Sequence, residues 1–296
     1  MVEENALMKW FFAFNQISEQ SYGDFARVAV LSARQNTKLE AFCLYDGVPC
    51  DLTCWLEAHG VTILPAHFRF ARWWQETAER RSLPSMARIA LGAFLRFELV
   101  EVMARERLND NFAFYTDCDV IFARDPEPLL AALKPHFFAV APETFPHKRL
   151  HMNSGAMWLN CYTLRSENPP FFEFAEKHME QAWSSSYDQG IYRAYFNPPH
   201  KWAWKMGIPD RLFYAVMSRL PLKTWKWDDL PLELNWKPYW GENDDAAIIH
   251  FHGLKPTQRA ALERGELPPN IAAMHTPAWE KYAAQWENWL EKARAL

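Results

Sequence analysis

The chain has 296 residues, 49% hydrophobic and 23% charged, enough to bury a substantial core in an ordinary globular protein. Its formal charge of −4 argues against a general nucleic-acid binder, which meets phosphate backbones with clustered Lys and Arg. No apolar run approaches the ~18 residues that a membrane span requires.

The opening stretch MVEENALMKWFFAF has an acidic leader and an apolar run too short for a secretory signal. It reads as a first strand over residues 9–14. An apolar-faced helix follows over 23–33, and a strand over 40–45 ends at the turn pair Asp46-Gly47. Residues 52–59 read as a short helix and 61–65 as a third strand. A long helix is expected over 85–107, with Ser85 as its N-cap, before the strand of FAFYTDCDVIFARDP, residues 112–126. This alternation predicts an α/β fold, a mixed and mostly parallel sheet flanked by helices on both faces. In such sheets ligands bind beyond the carboxyl ends of the strands.

The second half is less regular. Residues 137–141 and 155–160 read as strands, 170–183 and 188–196 as helices, and 246–251 as a short strand. Between them, residues 201–240 form a Trp- and Pro-rich, loop-like stretch. The last segment, 277–295, spaces Trp279, Tyr282, Ala283, Trp286 and Leu290 as a packed helix; its mixed charges give little reason to place it on a membrane. No repeat or Gly/Ser linker divides the chain, so a single unit spanning 1–296 is expected. The five cysteines (Cys43, Cys50, Cys54, Cys118, Cys161) are an odd set without a CxxC pair, which fits reduced thiols and a cytoplasmic location.

The chemistry gathers at Asp117 and Asp119. On a continuous strand the two share a face, with Cα atoms about 6.6 Å apart, and two buried carboxylates call for a cation. Oxygen ligands with an optional imidazole suit Mg²⁺ or Mn²⁺ better than zinc. The alternative is a strand that ends at Thr116, with both aspartates solvated in a turn. Three further segments carry polar residues at strand or helix ends. They are HMNSGAMWLN (151–160), SYDQGIY (186–192) and IIHFHGLKP (248–256). Each has a bland explanation alone: Asn153 a turn cap, Asp188 an N-cap, His250 a satisfied core histidine, Lys255 a solvated loop residue.

Taken in order, the four segments resemble the retaining GT-A glycosyltransferases, particularly glycosyltransferase family 8, the family of glycogenin and the lipopolysaccharide galactosyltransferases. The resemblance runs from about residue 9 to 256. It implies a GT-A nucleotide-diphospho-sugar transferase fold: a nucleotide-binding half at 1–126, an acceptor half with the late metal and phosphate loop at 127–260, and a C-terminal helical extension at 261–296. It implies a Mn²⁺ or Mg²⁺ ion held by Asp117, Asp119 and His250, with Lys255 on the diphosphate and Gly253 in the same loop. It further implies that Asp188 and Gln189 take part in catalysis at the donor sugar. Arg88, Asn153, Ser154 and Gly155 would contact the donor, and Asn15 the nucleotide. The late segment is one residue shorter between Gly253 and Lys255 than in many members, and His252 is an added candidate ligand. The implied activity is transfer from a UDP-sugar to a saccharide or glycolipid acceptor with retention of configuration, as in cell-surface polysaccharide synthesis. No nucleic-acid partner and no transmembrane segment are expected, while peripheral membrane contact is compatible. Trp202, Trp204, Trp225, Trp227, Trp236 and Trp240 are either an acceptor platform or core and lid aromatics. Two other functions are alternatives: a haloacid-dehalogenase-like Mg²⁺ phosphohydrolase, which would carry its Asp-x-Asp on the first strand, and a non-catalytic sugar-nucleotide-binding relative.

Overall fold

The KWFFAF run is apolar after Lys9 because both of its faces are buried. In the computed structural model, which describes residues 7–82, 91–220 and 222–296, it forms β1, Lys9–Asn15. Its side chains alternate between two cores: Phe11 and Ala13 face one, and Trp10, Phe12 and Phe14 face the other. Strands β2 (Glu40–Asp46) and β3 (Val61–Pro65) lie parallel beyond it, each reached through a helix, Glu19–Asn36 and Asp51–Ala58.

Helix Ala71–Arg80 has no counterpart in the sequence reading, although it buries Ala71, Trp74, Thr77 and Ala78 at helical spacing. Residues 83–90 lie outside the described residues, and with them Arg88 and the expected N-cap Ser85. From Leu91 the chain is helical, tightens to a 3-10 turn over Leu95–Glu98, and returns to an α-helix over Leu99–Arg105.

The expected strand through both aspartates is corrected by the structure. β4 (Phe112–Thr116) pairs parallel with β1 and stops at Thr116. The chain bends over 117–119, and β5 (Val120–Phe122) leaves the central sheet to pair antiparallel with β9 (Ile248–His250). The solvated-turn alternative does not hold either, because Asp119 is buried. Like charges fixed side by side in a strand repel; the bend lets them converge on a shared cation or donor instead.

The remaining strands are β6 (Phe138–Pro142), β7 (Met152–Asn160) and β8 (Asp228–Asp229). The central sheet runs β3-β2-β1-β4-β7-β6-β8, with β7 antiparallel to β4 and β6 and the other neighbours parallel. One face is covered by helices Ala71–Arg80, Leu99–Arg105, Cys161–Lys177 and Tyr187–Tyr195. The other is covered by Glu19–Asn36, Asp51–Ala58 and Pro277–Arg294.

Two further differences have local causes. The helix expected at 170–183 starts at Cys161, because the Asn160 side chain caps it by accepting from Thr163 N at 3.2 Å. Pro169 and Pro170 therefore sit inside that helix, and Met179–Ser184 is a separate one. The 201–240 stretch is not all loop; it contains helices Pro198–Lys205 and Asp210–Met217, with Trp204 and Trp227 in the core and Trp202 exposed. Among the described residues no helix is long and apolar enough to cross a membrane.

Candidate functional site

The bend after β4 and the β5–β9 ribbon together bring three distant side chains to one point. Register pairs Val120 with His250, so the histidine stands beside Asp119. His250 Nε2 lies 3.3 Å from Asp119 Oδ1 and 4.0 Å from Asp117 Oδ2. One ligand atom from each of Asp117, Asp119 and His250 falls within 4.8 Å of the others. Strand β7 passes close by, and Gly155 O accepts from Asp117 N at 2.9 Å. A Cβ at Gly155 would run into the His250 ring and lie 2.9 Å from Asp117 Oδ2, so only glycine leaves this space open.

The imidazole is oriented by a chain of amides. The Ser154 N–H donates to Gln189 Oε1 at 2.9 Å, and Gln189 Nε2 donates to Glu143 Oε1 at 2.7 Å. With Gln189 fixed in this sense, Asn153 Nδ2 donates to Gln189 Oε1 at 3.1 Å, and Asn235 Nδ2 donates to Asn153 Oδ1 at 3.0 Å. Asn235 Oδ1 is left to accept, and it lies 2.8 Å from His250 Nδ1. The Nδ1 proton therefore points at Asn235 and the Nε2 lone pair at the carboxylates, the tautomer a metal ligand needs. Buried Lys237 braces the backbone here, donating to Pro142 O at 2.9 Å and Asn235 O at 3.1 Å. Asn235→Ala is expected to weaken Mn²⁺ binding about 10–100-fold, the range for losing an outer partner of a metal histidine. A Mn²⁺ titration checks this, and ¹⁵N shifts of the His250 ring should show mixed tautomers in the variant; unchanged affinity and shifts would refute the role.

Lys255 returns to the same point because Gly253 turns the chain at φ +83°, a backbone conformation that favours glycine. The Lys255 ammonium donates to Asp119 Oδ2 and to Phe251 O at 2.6 Å. Burial alone would raise the Asp119 carboxyl, but the Lys255 ammonium together with the adjacent His250 more than reverses it and holds the group well below the usual carboxylate range. Burial would likewise lower Lys255, and Asp119 outweighs it, so the ammonium stays charged above its ordinary value. Asp119 Oδ1 is buried without a hydrogen-bond partner. That orphaned oxygen, the half-exposed Asp117 and an imidazole lone pair make a donor set that fits Mn²⁺ or Mg²⁺.

Arg96 organises the opposite wall. It lies in the apolar run Phe94-Leu95-Arg96-Phe97, and its guanidinium bonds Asp117 Oδ1 at 2.7 Å, the Ser154 carbonyl, and Ala93 O at 2.8 Å. Its Nε also lies 3.2 Å from Asp188 Oδ2, which accepts from Ser154 Oγ at 3.1 Å. Burial raises the Asp188 carboxyl although Arg96 opposes the shift.

These groups border a cavity of about 370 Å³ lined by Asp117, Asp119, Asp188, His250, Lys255 and, on the β1 side, Ser18 and Tyr22. The cavity lies past the carboxyl ends of β1 and β4, where an α/β sheet of this kind binds ligands. Other sequence candidates stand around it. Asn15 caps the turn into the first helix, its Oδ1 accepting from Ser18 N at 3.0 Å, so it positions the cavity residue Ser18. Asn153, Ser154 and Gln189 form the amide chain behind the wall. His252 is outside the three-residue cluster; its Nδ1 lies 2.9 Å from Tyr239 OH, and burial holds its pKa well below the ordinary value.

Arg96, Asn235 and Glu143 escaped the sequence reading. For Arg96 the signal was present: an arginine in the middle of a large apolar run must find buried anions. Asn235 and Glu143 carry no such mark, since their roles depend wholly on what the fold sets beside them.

No protein-family model and no curated protein matches the chain. Solved structures do. The galactosyltransferase LgtC, in complex with donor and acceptor sugar analogues, matches with a TM-score of 0.60 at 14% identity, covering 96% of each chain. The fold is that of the GT-A glycosyltransferases. The glycosyltransferase GlyE of Streptococcus pneumoniae TIGR4 shares this GT-A fold, with a TM-score of 0.54 at 13% identity over 98% of this chain and 64% of its own. An active-site glutamine-to-glutamate mutant of LgtC matches with a TM-score of 0.53 at 14% identity, over 90% and 100%. The GT-A fold supports more than one sugar chemistry, so the activity has to be argued from the side chains.

Proposed function

We propose that the protein is a metal-dependent glycosyltransferase that moves a sugar from a nucleotide-diphosphate sugar, most simply a UDP-sugar, to a saccharide or glycolipid acceptor with retention of configuration. The observation that carries this reading is the convergence of Asp117, Asp119, His250 and Lys255 on one cavity of a GT-A fold. Asp117, Asp119 and His250 would hold Mn²⁺ or Mg²⁺, which when bound neutralises diphosphate charge and makes it a better leaving group. Lys255 brings a positive charge that burial does not remove, suited to a phosphate oxygen.

Asp188 presents a buried carboxylate to the cavity, a strong acceptor for a sugar hydroxyl, and Ser154 and Arg96 fix its direction. Gln189, Asn153 and Ser154 hold that wall and the His250 tautomer, and hydroxyl contacts of this kind give the largest discrimination between sugars. Gln189 has its amide engaged by Glu143, Asn153 and Ser154, which makes it a poor nucleophile and favours displacement without a covalent intermediate. In this reading residues 1–126 take the nucleotide and 127–260 the acceptor, with 261–296 a helical extension of one GT-A-like domain.

The phosphohydrolase alternative is not favoured: the Asp-x-Asp follows β4, not the first strand, and carries a histidine partner. The deciding assay is hydrolysis or transfer with a panel of UDP-, GDP- and CDP-sugars, with and without Mn²⁺. Metal-stimulated turnover of one of them is expected. Failure of every donor to bind or react in the presence of the metal sinks the proposal.

A further inference from the structure

A second, independently built surface lies on the helices after Tyr187–Tyr195. Residues 201–226 contain Lys201, Lys205, Arg211, Arg219, Lys223 and Lys226, against one acid, Asp210. The segment carries +5 in a chain of −4, so the rest stands at −9, with 26 bases and 35 acids. Asp210 does not offset this charge at the surface. Its Oδ1 accepts from Trp204 Nε1 at 2.6 Å and lies 2.8 Å from His200 Nε2, and its Oδ2 accepts from Ser185 Oγ.

The same segment exposes large apolar side chains: Trp202, at 59% exposure, Met206, Leu212, Val216, Leu220 and Leu222. These are six of the twelve exposed large hydrophobics among the described residues, and the other six are scattered over the rest of the chain. Trp202 and Met206 are one helical turn apart, as are Leu212 and Val216, so each pair forms a ridge. The His200 and Phe213 rings, stacked at 4.2 Å, tie the two helices that bear these ridges to each other. Beside them is a cavity of about 260 Å³ bordered by Lys201, Lys205, Lys226 and Trp202, with one carboxylate, Glu167, which accepts from Tyr195 OH. Lys201 is held at its edge, with the ammonium 3.6 Å from the Tyr195 ring centroid.

Exposed aliphatic ridges among lysines and arginines need a partner that is both apolar and anionic. A nucleic acid satisfies the charge but not Leu212 and Val216. A second copy of the chain pairing through this same face would set +5 against +5. An anionic bilayer satisfies both, with headgroup phosphates for the bases and an interface that takes Trp and aliphatic side chains.

We propose that Trp202, Met206, Leu212 and Val216, with the surrounding Lys and Arg side chains, dock the protein on an anionic lipid surface, the three-lysine cavity receiving a headgroup phosphate. This surface is tied to the candidate site: the His151 ring packs on Tyr214 at 4.4 Å, and His151 immediately precedes the strand of Asn153 and Ser154. Docking and activity are nevertheless read by separate experiments.

The test is flotation of the full chain with equimolar phosphatidylglycerol–phosphatidylcholine vesicles and with phosphatidylcholine alone, at low and high salt. Binding to the anionic vesicles only, released by salt, is expected. Leu212→Asp with Val216→Asp, and separately Lys205→Glu with Arg219→Glu, should each weaken it about tenfold or more, with unchanged circular dichroism and melting. Absent binding by the wild type, or binding that survives both double variants, overturns the proposal. So does a concentration-dependent dimer that the Leu212→Asp/Val216→Asp variant dissociates, or a preference for single-stranded RNA over the vesicles.

Discussion

Asp119→Asn is expected to lower stability by about 3–5 kcal/mol and to abolish Mn²⁺ binding, whereas adding Lys255→Met recovers most of the stability and none of the binding. The reason is that Asp119 has two duties. Its Oδ2 neutralises Lys255, while Oδ1 faces His250 without a hydrogen bond. The single variant leaves an ammonium without its anion in a buried site; the double variant removes both charges. Urea unfolding and Mn²⁺ titration of the three proteins separate the two duties. If the double variant is as unstable as the single one, the pair is not what holds this corner together.

The pair also sets a pH signature. The folded Asp119 carboxyl is depressed, so its contribution is present above about pH 4 and is lost as pH falls toward the folded value. The folded Lys255 ammonium is raised, so its contribution is present below about pH 10 and is lost as pH rises through the folded value. Measured against the double variant, wild-type stability should therefore be flat between these limits and fall outside them.

Arg96→Met is expected to cost about 3–5 kcal/mol near neutral pH, by leaving Asp117 and Asp188 without their shared cation. Asp188 already has a raised pKa, and without Arg96 it rises further. A carboxyl raised in the folded state gains stability as it protonates, so the deficit should shrink as pH falls through the folded value toward about pH 4. Arg96→Lys should not rescue it, because an ammonium cannot reach two carboxylates and the Ser154 carbonyl with a planar fork. A deficit that grows in mild acid would contradict this account of the wall.

Much of the first half was legible because its strands are short apolar runs separated by turn residues; β3 was read at its observed bounds, Val61–Pro65. The Asp117, Asp119 and His250 cluster was legible only through the order of its motifs, and the structure brings those three together. What pattern reading missed is where the chain departs from regularity. Alternation predicts one strand through 117–122, but a change of partner sheet leaves no mark in hydrophobicity. The helix expected from Pro170 starts nine residues earlier, at Cys161, where the Asn160 side chain caps it. The amide chain from Ser154 to His250 was illegible for a different reason. Each member is an ordinary polar residue until tertiary structure sets it beside the next.

The two-stranded ribbon has a consequence for how the protein is made. His250 reaches the carboxylates by pairing with Val120, 130 positions earlier in the chain (250 − 120). A growing polypeptide thus displays Asp117 and Asp119 long before it contains the imidazole that joins them, and closing so distant a contact is slow. The central sheet β3-β2-β1-β4 can be assembled on the ribosome while the site is still two separate halves. On the proposed metal role, capture would be a late event, coupled to the arrival of Ile248–His250, and an ion added during refolding should accelerate only the final phase.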